Sequence, residues 1–509
     1  MRTNALIACG ITATVIAAVV ALGQAGGEKR GVIKRDAGAT PGFVLLAPLR
    51  SLETHLVADD GRIVHSWKDT ATPGSSVQLM PNGDLYRASR ADKRSSFDGG
   101  GFGGVIRRFS WEGKLLWEFD CSSDEHWQHH DFEIMPNGNI LLIAWEKKTR
   151  DDALAAGRKP ELCGEQGIWP DHVIEVKPTG DRGGEIVWSW HAWDHLIQDI
   201  DPAKPNYGKV SDDPGRIDLN FVVGGPMMPP AEHTRLRQLG YVGSGGEEEV
   251  DEPGPPGDRP GPRDRNPRTQ PDWMHTNSID YNADLDQVLL SVHNFHEVWV
   301  IDHSTTREEA RTDRGGESGK GGRILYRWGN PAAYKSGTPT DQKHFGQHDA
   351  QWIAAGSPGA GNILIFNNGA GRRDGRFSSI EEITPPLSNG NYVREGAAFG
   401  PKSPTWQYTA DPRAAFFSGH ISGAARLASG NTLICSGEQG RVFEVTAGGQ
   451  IVWEYLSPLG GEVQMGPPGG PGGHGGPGGP NRDRDEKHAL FRVLHYSPAF
   501  VEAIEAKRR

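Results

Sequence analysis

The sequence predicts an all-β chain, a six-bladed β-propeller with four-stranded antiparallel blades around a central channel. Three observations predict it. Glycine and proline number 69 and 36 among 509 residues, a load that many tight turns require. A short strand with alternating apolar and polar positions and an aromatic-rich end recurs six times. A second pattern, an Asn-Gly or Ser-Gly turn feeding an apolar strand, lies upstream of several of these copies.

The aromatic-ended copies are Ile63-Val64-His65-Ser66-Trp67, Leu115-Leu116-Trp117-Glu118-Phe119, Ile186-Val187-Trp188-Ser189-Trp190, Ile324-Leu325-Tyr326-Arg327-Trp328, the looser Pro404-Thr405-Trp406-Gln407-Tyr408, and Ile451-Val452-Trp453-Glu454-Tyr455. Their period of two is that of a half-buried strand. The turn-and-strand pattern appears at Pro81–Leu85, Pro136–Leu141 and Ser429–Ile434. Gly361–Leu364 and Leu285–Leu289 fill the same place. Asn and Gly tolerate positive φ, so this is a hairpin signal. A third strand follows at Val105–Arg107, His172–Val176, Glu297–Ile301 and Arg441–Val445. With a linking strand between units, each unit makes one blade of four short strands. Leu490–Leu494 is placed to complete the first blade and close the ring, which removes exposed sheet edges.

Outside the repeat the chain is expected to divide simply. Arg2, an apolar run from Ala5 to Leu22 and the small residues around Gln24 predict a signal peptide over 1–25 and a periplasmic or secreted protein, with an uncleaved anchor as the alternative. Residues 26–40 are expected to be a linker, 41–500 the propeller and 501–509 a C-terminal tail. Two stretches rich in Gly, Pro and charge, 243–270 and 460–485, cannot bury apolar area and are expected as disordered loop insertions. No stretch after the first could span a membrane, so no integral membrane domain is expected. The net charge of −11 gives no basic surface for nucleic acid. Beyond Cys9 there are three cysteines; Cys121 and Cys163 could pair in an exported protein, leaving Cys435 free, or all three could be unpaired.

The chemistry lies in the histidines, 19 in all. His129-His130-Asp131, His275-Thr276-Asn277, His348-Asp349 and His420 each stand a few residues upstream of the first strand of a blade, and in a propeller that strand lines the channel. Four blades therefore aim an imidazole at one axis. His293 and His296, in Ser291–His296, are further candidates. An imidazole can serve as nucleophile, general acid or base, oxyanion donor or metal ligand near neutral pH.

These residues also carry a family resemblance. His129-His130-Asp131 with Pro136–Asn139, Asp272-Trp273-Met274-His275-Thr276-Asn277-Ser278-Ile279-Asp280-Tyr281, and Gly346-Gln347-His348-Asp349-Ala350 resemble the arylsulfotransferase family of PAPS-independent bacterial enzymes, over roughly residues 40 to 500. The resemblance implies a six-bladed propeller that needs no cofactor. It also implies ping-pong transfer of a sulfuryl group from an aryl sulfate to a phenol through a sulfohistidine. His348 matches the nucleophile. His130, or its neighbour His129, and His275 match the histidines that hold the sulfuryl oxygens and protonate the leaving phenolate. Thr276 and Asn277 fall with the second motif, and Asp349 or Asp131 is expected to orient a ring by accepting its other N–H. The family's sulfate-clamping arginine should follow His275 on the next strand. His293 and Asn294 stand there instead, with Arg372, Arg373 and Arg441 as possible replacements from other blades, and His420 is an additional histidine.

Two other readings fit the same residues. A metal-dependent propeller enzyme would use His130, His275, His348, His293 and His420 as ligands. A non-catalytic propeller would bind a protein or glycan on its loop face.

Overall fold

The structure is a computed structural model describing residues 29–222 apart from 94 and 98, 267–461, and 487–508. The expected signal peptide and nearly all of the two Gly/Pro-rich insertions lie outside these residues.

Six four-stranded antiparallel sheets form the six blades of a propeller. From the axis outward, blade one is Leu494–Tyr496, Phe43–Leu46, Glu53–Ala58 and Ile63–Lys68. Blade two is Pro73–Leu79, Leu85–Arg90, Gly104–Phe109 and Leu115–Asp120. Blade three is His126–Ile134, Ile140–Glu146, Asp171–Pro178 and Gly184–His191. Blade four is Thr276–Asn282, Gln287–Val292, Glu297–Asp302 and Ile324–Trp328. Blade five is His348–Trp352, Ile363–Asn367, Ser379–Ile383 and Trp406–Tyr408. Blade six is Gly423–Arg426, Thr432–Ser436, Arg441–Val445 and Ile451–Leu456. All six aromatic copies fall on the fourth strand of their blade, counted from the axis.

The recurrent tryptophan has a positional reason. In every blade an indole N–H on the fourth strand donates to a carbonyl in the turn between the third and fourth strands of the next blade. Trp67 reaches Ser110 O (3.1 Å), Trp117 reaches Gly183 O (2.8 Å) and Trp190 reaches Gly322 O (2.6 Å). Trp328 reaches Pro401 O, Trp406 reaches Ala447 O and Trp453 reaches Asp59 O, each at 2.8 Å. The last bond joins blade six to blade one. Each ring thus buries apolar area between blades while its one donor satisfies a turn carbonyl. The interblade cores are built the same way: Trp117 and Ile106 of blade two pack with Phe132, Leu142 and Ile174 of blade three.

Three expectations are revised. The closing strand is Leu494–Tyr496, paired with Phe43–Leu45, and Leu490 makes only an isolated bridge to Pro48. Residues Gly31–Arg35, expected as linker, form a fifth strand on the outer edge of blade six, with Val32 opposite Tyr455 and Arg35 opposite Trp453. The alternating Val32 and Lys34 make a strand pattern too short to stand out alone. The expected tail belongs to a helix, Pro498–Ala506, capped by Ser497, whose side chain accepts from Phe500 N. Its Val501 and Ile504 are buried against Leu45, Val77 and Leu85. Cys121, Cys163 and Cys435 are all buried free thiols, so the pairing of Cys121 with Cys163 does not form. No helix among the described residues is long and apolar enough to cross a membrane.

Candidate active site

The innermost strands carry a shared irregularity where the histidines lie. Register slips occur opposite residues 129–131 in blade three, 277 in blade four and 349–350 in blade five. At or beside these bulges His130 (φ 52°), His275 (φ 53°) and Asp349 (φ 51°) are left-handed. Non-glycine residues avoid this region, and bulges re-aim side chains, so the strain turns imidazoles into the channel.

The result is a continuous row of rings. Centroids of His130 and His275 lie 4.5 Å apart, His275 and His293 5.2 Å, and His293 and His348 5.4 Å. Residues from blades three, four and five therefore share one space, although more than 200 positions separate His130 from His348 in the sequence. Phe491 forms one wall, 6.1 Å from His130 and 6.4 Å from His348.

Each ring is held by a different partner, which sets its tautomer. His348 Nδ1 lies 3.1 Å from Gly346 O and 2.9 Å from Asn368 Oδ1. Asn368 donates its amide N–H groups to Ser418 O (2.9 Å) and Ile421 O (2.8 Å), so its oxygen must face the ring. Both neighbours are acceptors, so Nδ1 carries the hydrogen and Nε2 keeps its lone pair. That Nε2 is buried without a hydrogen-bond partner. Burial is the main cause that lowers the His348 pKa to about 3, against the hydrogen bond to Asn368, so the ring is neutral.

His275 is the opposite case. Its Nδ1 meets Asp272 Oδ2 at 2.5 Å. Burial works to lower its pKa, but the charge and hydrogen bond of Asp272 outweigh it and the net displacement is upward. The ring is thus the one most ready to carry a proton into the channel. His130 Nδ1 is 2.8 Å from His129 Nδ1, and His129 Nε2 is 3.2 Å from Asp171 Oδ1. Asp171 takes the His129 Nε2 hydrogen, so His130 must donate to His129 and present Nε2, also unpartnered, to the channel. Burial and the neighbouring imidazoles push the His130 pKa far down. His293, lowered in the same way, is oriented by Asn294 Oδ1 at 2.8 Å from its Nδ1. His296 accepts from Gly346 N at 3.0 Å.

Several expected roles change on this geometry. His129 lies behind His130, stacked on Trp145 at 4.2 Å with both nitrogens engaged, so it positions His130 and has no nitrogen for a substrate. Asn277 is fully buried and ties blade four to blade five through Gln347 O (2.8 Å). Thr276 donates its backbone N–H to Asp171 (2.7 Å) and has a buried, unpartnered Oγ1. His420 is held by Glu438 Oε1 at 2.7 Å. Asp131 and Asp349 do not accept ring N–H groups; both turn towards Arg492. The orienting groups are Asp272, Asn368, Asp171, Asn294 and Glu438.

No arginine of the expected trio joins the row. Arg372 bonds Ser379 (2.6 Å) and Glu381 (3.3 Å), and Arg441 bonds Glu454 (2.7 Å). Arg372 and Arg373 line a surface cavity with Lys343 and Lys402. His293 occupies the middle of the row, so an imidazole stands where the resemblance implied a guanidinium.

Sequence reasoning also missed the glycine-rich stretch from Gly99 to Gly104. Gly101 O accepts from His130 N at 2.7 Å, and a Cβ on Gly101 would fall 2.3 Å from the His130 ring. The run of glycines was its one signal, because only a bare backbone fits against that ring.

A model of the family described as arylsulfotransferase (ASST) matches residues 53–454. No curated protein matches the chain. Among solved structures, a protein of unknown function from Bacteroides caccae is 10% identical over 90% of this chain and 99% of its own, with a TM-score of 0.41. A periplasmic gluconolactonase of Pseudomonas aeruginosa is 11% identical over 82% of this chain and 96% of its own, TM-score 0.38. Virginiamycin B lyase from Staphylococcus aureus is 11% identical over 86% and 90%, TM-score 0.34.

Proposed function

The chain belongs to the arylsulfotransferase family and has an aryl sulfotransferase function in general, and from that premise we propose that it moves a sulfuryl group between phenols through a covalent adduct on His348. The observation that carries this reading is the opposed pair of rings. His348 is neutral with a bare Nε2 lone pair, and His275 is the imidazole whose pKa is raised. Environments that push two titratable groups apart mark a base or nucleophile and an acid.

In the first half-reaction, His348 Nε2 attacks sulfur as the bond from sulfur to the aryl oxygen breaks. The departing phenolate takes the Nε2 proton of His275. Charge on the sulfuryl oxygens is met by donors around the row, with His130 and His293 taking protons or hydrogen bonds once an anion relieves their mutual repulsion. In the second half-reaction, an acceptor phenol gives its proton to His275 and its oxygen takes the sulfuryl group from His348. Protons and charge balance over the cycle with no cofactor.

The lost clamp arginine implies weaker ground-state binding of the sulfate, since imidazole offers no bidentate fork. The N-terminal apolar run supports export to the periplasm or beyond.

The test is transfer from para-nitrophenyl sulfate to a phenol acceptor in chelator-treated buffer. Parallel double-reciprocal lines and a fall of roughly 10⁴-fold in His348→Ala are expected. Undiminished transfer by His348→Ala would overturn the assignment.

A further inference from the structure

We propose that blade three holds a second site, separate from the histidine row, which binds one divalent transition-metal ion of the zinc class through His172, His191 and Glu146. The strand register creates it. His126 pairs with Glu146, Ala144 with His172, and His172 with His191. Directly opposed residues share a face of a sheet, as do alternate residues along a strand. All four strands of the blade therefore present His126, Glu146, His172 and His191 from the same face at the same end.

The geometry is that of a ligand set. One ligand atom each from Glu146, His172 and His191 lie within 4.8 Å of one another. His191 Nδ1 and Glu146 Oε2 are 3.1 Å apart. Ligand atoms at about 2.0–2.1 Å from a tetrahedral zinc sit roughly 3.3 Å from each other. The His172 and His191 rings are parallel, within 8°, at 5.0 Å, and His126 meets His172 edge-on at 6.2 Å as a third imidazole at the rim. Two imidazoles and a carboxylate with a further position open suit zinc and its neighbours.

A second observation points the same way. His172 is 5% exposed and its Nδ1 is buried with no hydrogen-bond partner. A buried ring nitrogen left unpaired is costly, and coordination removes the cost. Lys148 bonds the other oxygen of Glu146, which fixes the carboxylate while its own charge opposes a cation. The site backs onto the histidine row. Trp145 and Asp171, the neighbours of Glu146 and His172 in the chain, point to the opposite face, where they stack on and bond His129. A bound ion would brace the strand ends that hold this support.

Full-length protein, stripped with chelator, is dialysed against micromolar zinc chloride and analysed by elemental mass spectrometry and titration calorimetry. One zinc per chain is expected, retained by His348→Ala. Affinity should fall at least roughly tenfold in His191→Ala and Glu146→Gln, both at partly exposed positions. Zinc should also protect His191 of the unsubstituted protein from diethyl pyrocarbonate, which needs no variant to fold. Absence of stoichiometric zinc would overturn the proposal. So would binding that survives both substitutions, or no protection of His191 by saturating zinc.

Discussion

Arg492 grips Asp131 with both arms of its guanidinium, Nη2 to Oδ1 at 2.6 Å and Nη1 to Oδ2 at 2.7 Å, across 361 positions of sequence. The same Nη1 reaches Asp349 Oδ1 at 3.1 Å. Asp131 follows His130 and Asp349 follows His348, so one side chain from the closing segment ties together the two bulges that aim the imidazoles.

Removing that guanidinium should be costly. Asp131 and Asp349 are buried, and Arg492→Met would leave their charges uncompensated, a loss of about 3–5 kcal/mol. The orphaned carboxylates would have raised pKa values, so the deficit grows as pH rises above the ordinary carboxylate range and shrinks below it. Urea unfolding of both proteins at acid and neutral pH checks this. A deficit independent of pH would contradict it.

Asn368 should govern the nucleophile through its tautomer. Asn368→Ala removes one acceptor from His348 Nδ1 and should lower kcat roughly 10²-fold, and because it also strips the donor from the buried Ser418 and Ile421 carbonyls it should cost about 1–3 kcal/mol of stability. Asn368→Asp supplies a charged acceptor and should raise the His348 pKa from about 3, moving the acid limb of the rate profile upward. A merely structural asparagine would leave that limb in place.

The pH profile of kcat/KM should be flat on the acid side down to about pH 4, because His348 stays neutral until its own pKa near 3. It should fall on the alkaline side as His275, held protonated by Asp272, loses its proton. A raised histidine pKa is an advantage present at low pH and lost as pH rises through it. Asp272→Asn should therefore shift the alkaline limb to lower pH. An unchanged limb would remove His275 as the acid.

The tryptophan ring predicts additive losses. Trp117→Phe and Trp453→Phe each delete one interblade indole donor and leave a turn carbonyl unpaired, for about 1–3 kcal/mol apiece in thermal or urea unfolding. The sites are far apart, so the double variant should show the sum.

Reductant should not change the unfolding midpoint, because all three described cysteines are free. Burial raises the thiol of Cys121 to about 12, and the native protein should resist alkylation there. A lower midpoint in reductant would indicate a disulfide.

The fold was legible because its repeat is written in residues with one structural job. Trp67, Trp117, Trp190, Trp328, Trp406 and Trp453 occupy equivalent positions because each must reach the next blade, and Asn82-Gly83 and Asn137-Gly138 because their turns need positive φ. Gly31–Arg35 and Leu494–Tyr496 were harder to place because each pairs with a strand more than 400 positions away, and no local pattern announces such a partner. In the site, His130, His275 and His348 were readable as chemistry-bearing residues at matching repeat positions. Their orienting partners were not. Asp131 and Asp349 adjoin the histidines and looked like the natural carboxylates, but the bulges turn those side chains to Arg492. Asp272, three residues before His275, and Asp171, brought to His129 only by the folding of its blade, do that work. His172, His191 and Glu146 were invisible for the same reason, since only strand register puts them together.

The central claim is that His348 carries the sulfuryl group, and peptide mass spectrometry of protein quenched after exposure to an aryl sulfate without acceptor tests it most directly. The account predicts a mass gain of one sulfuryl group on the peptide containing His348, discharged when a phenol is added. A mass gain on another histidine, or none while transfer proceeds, would contradict it.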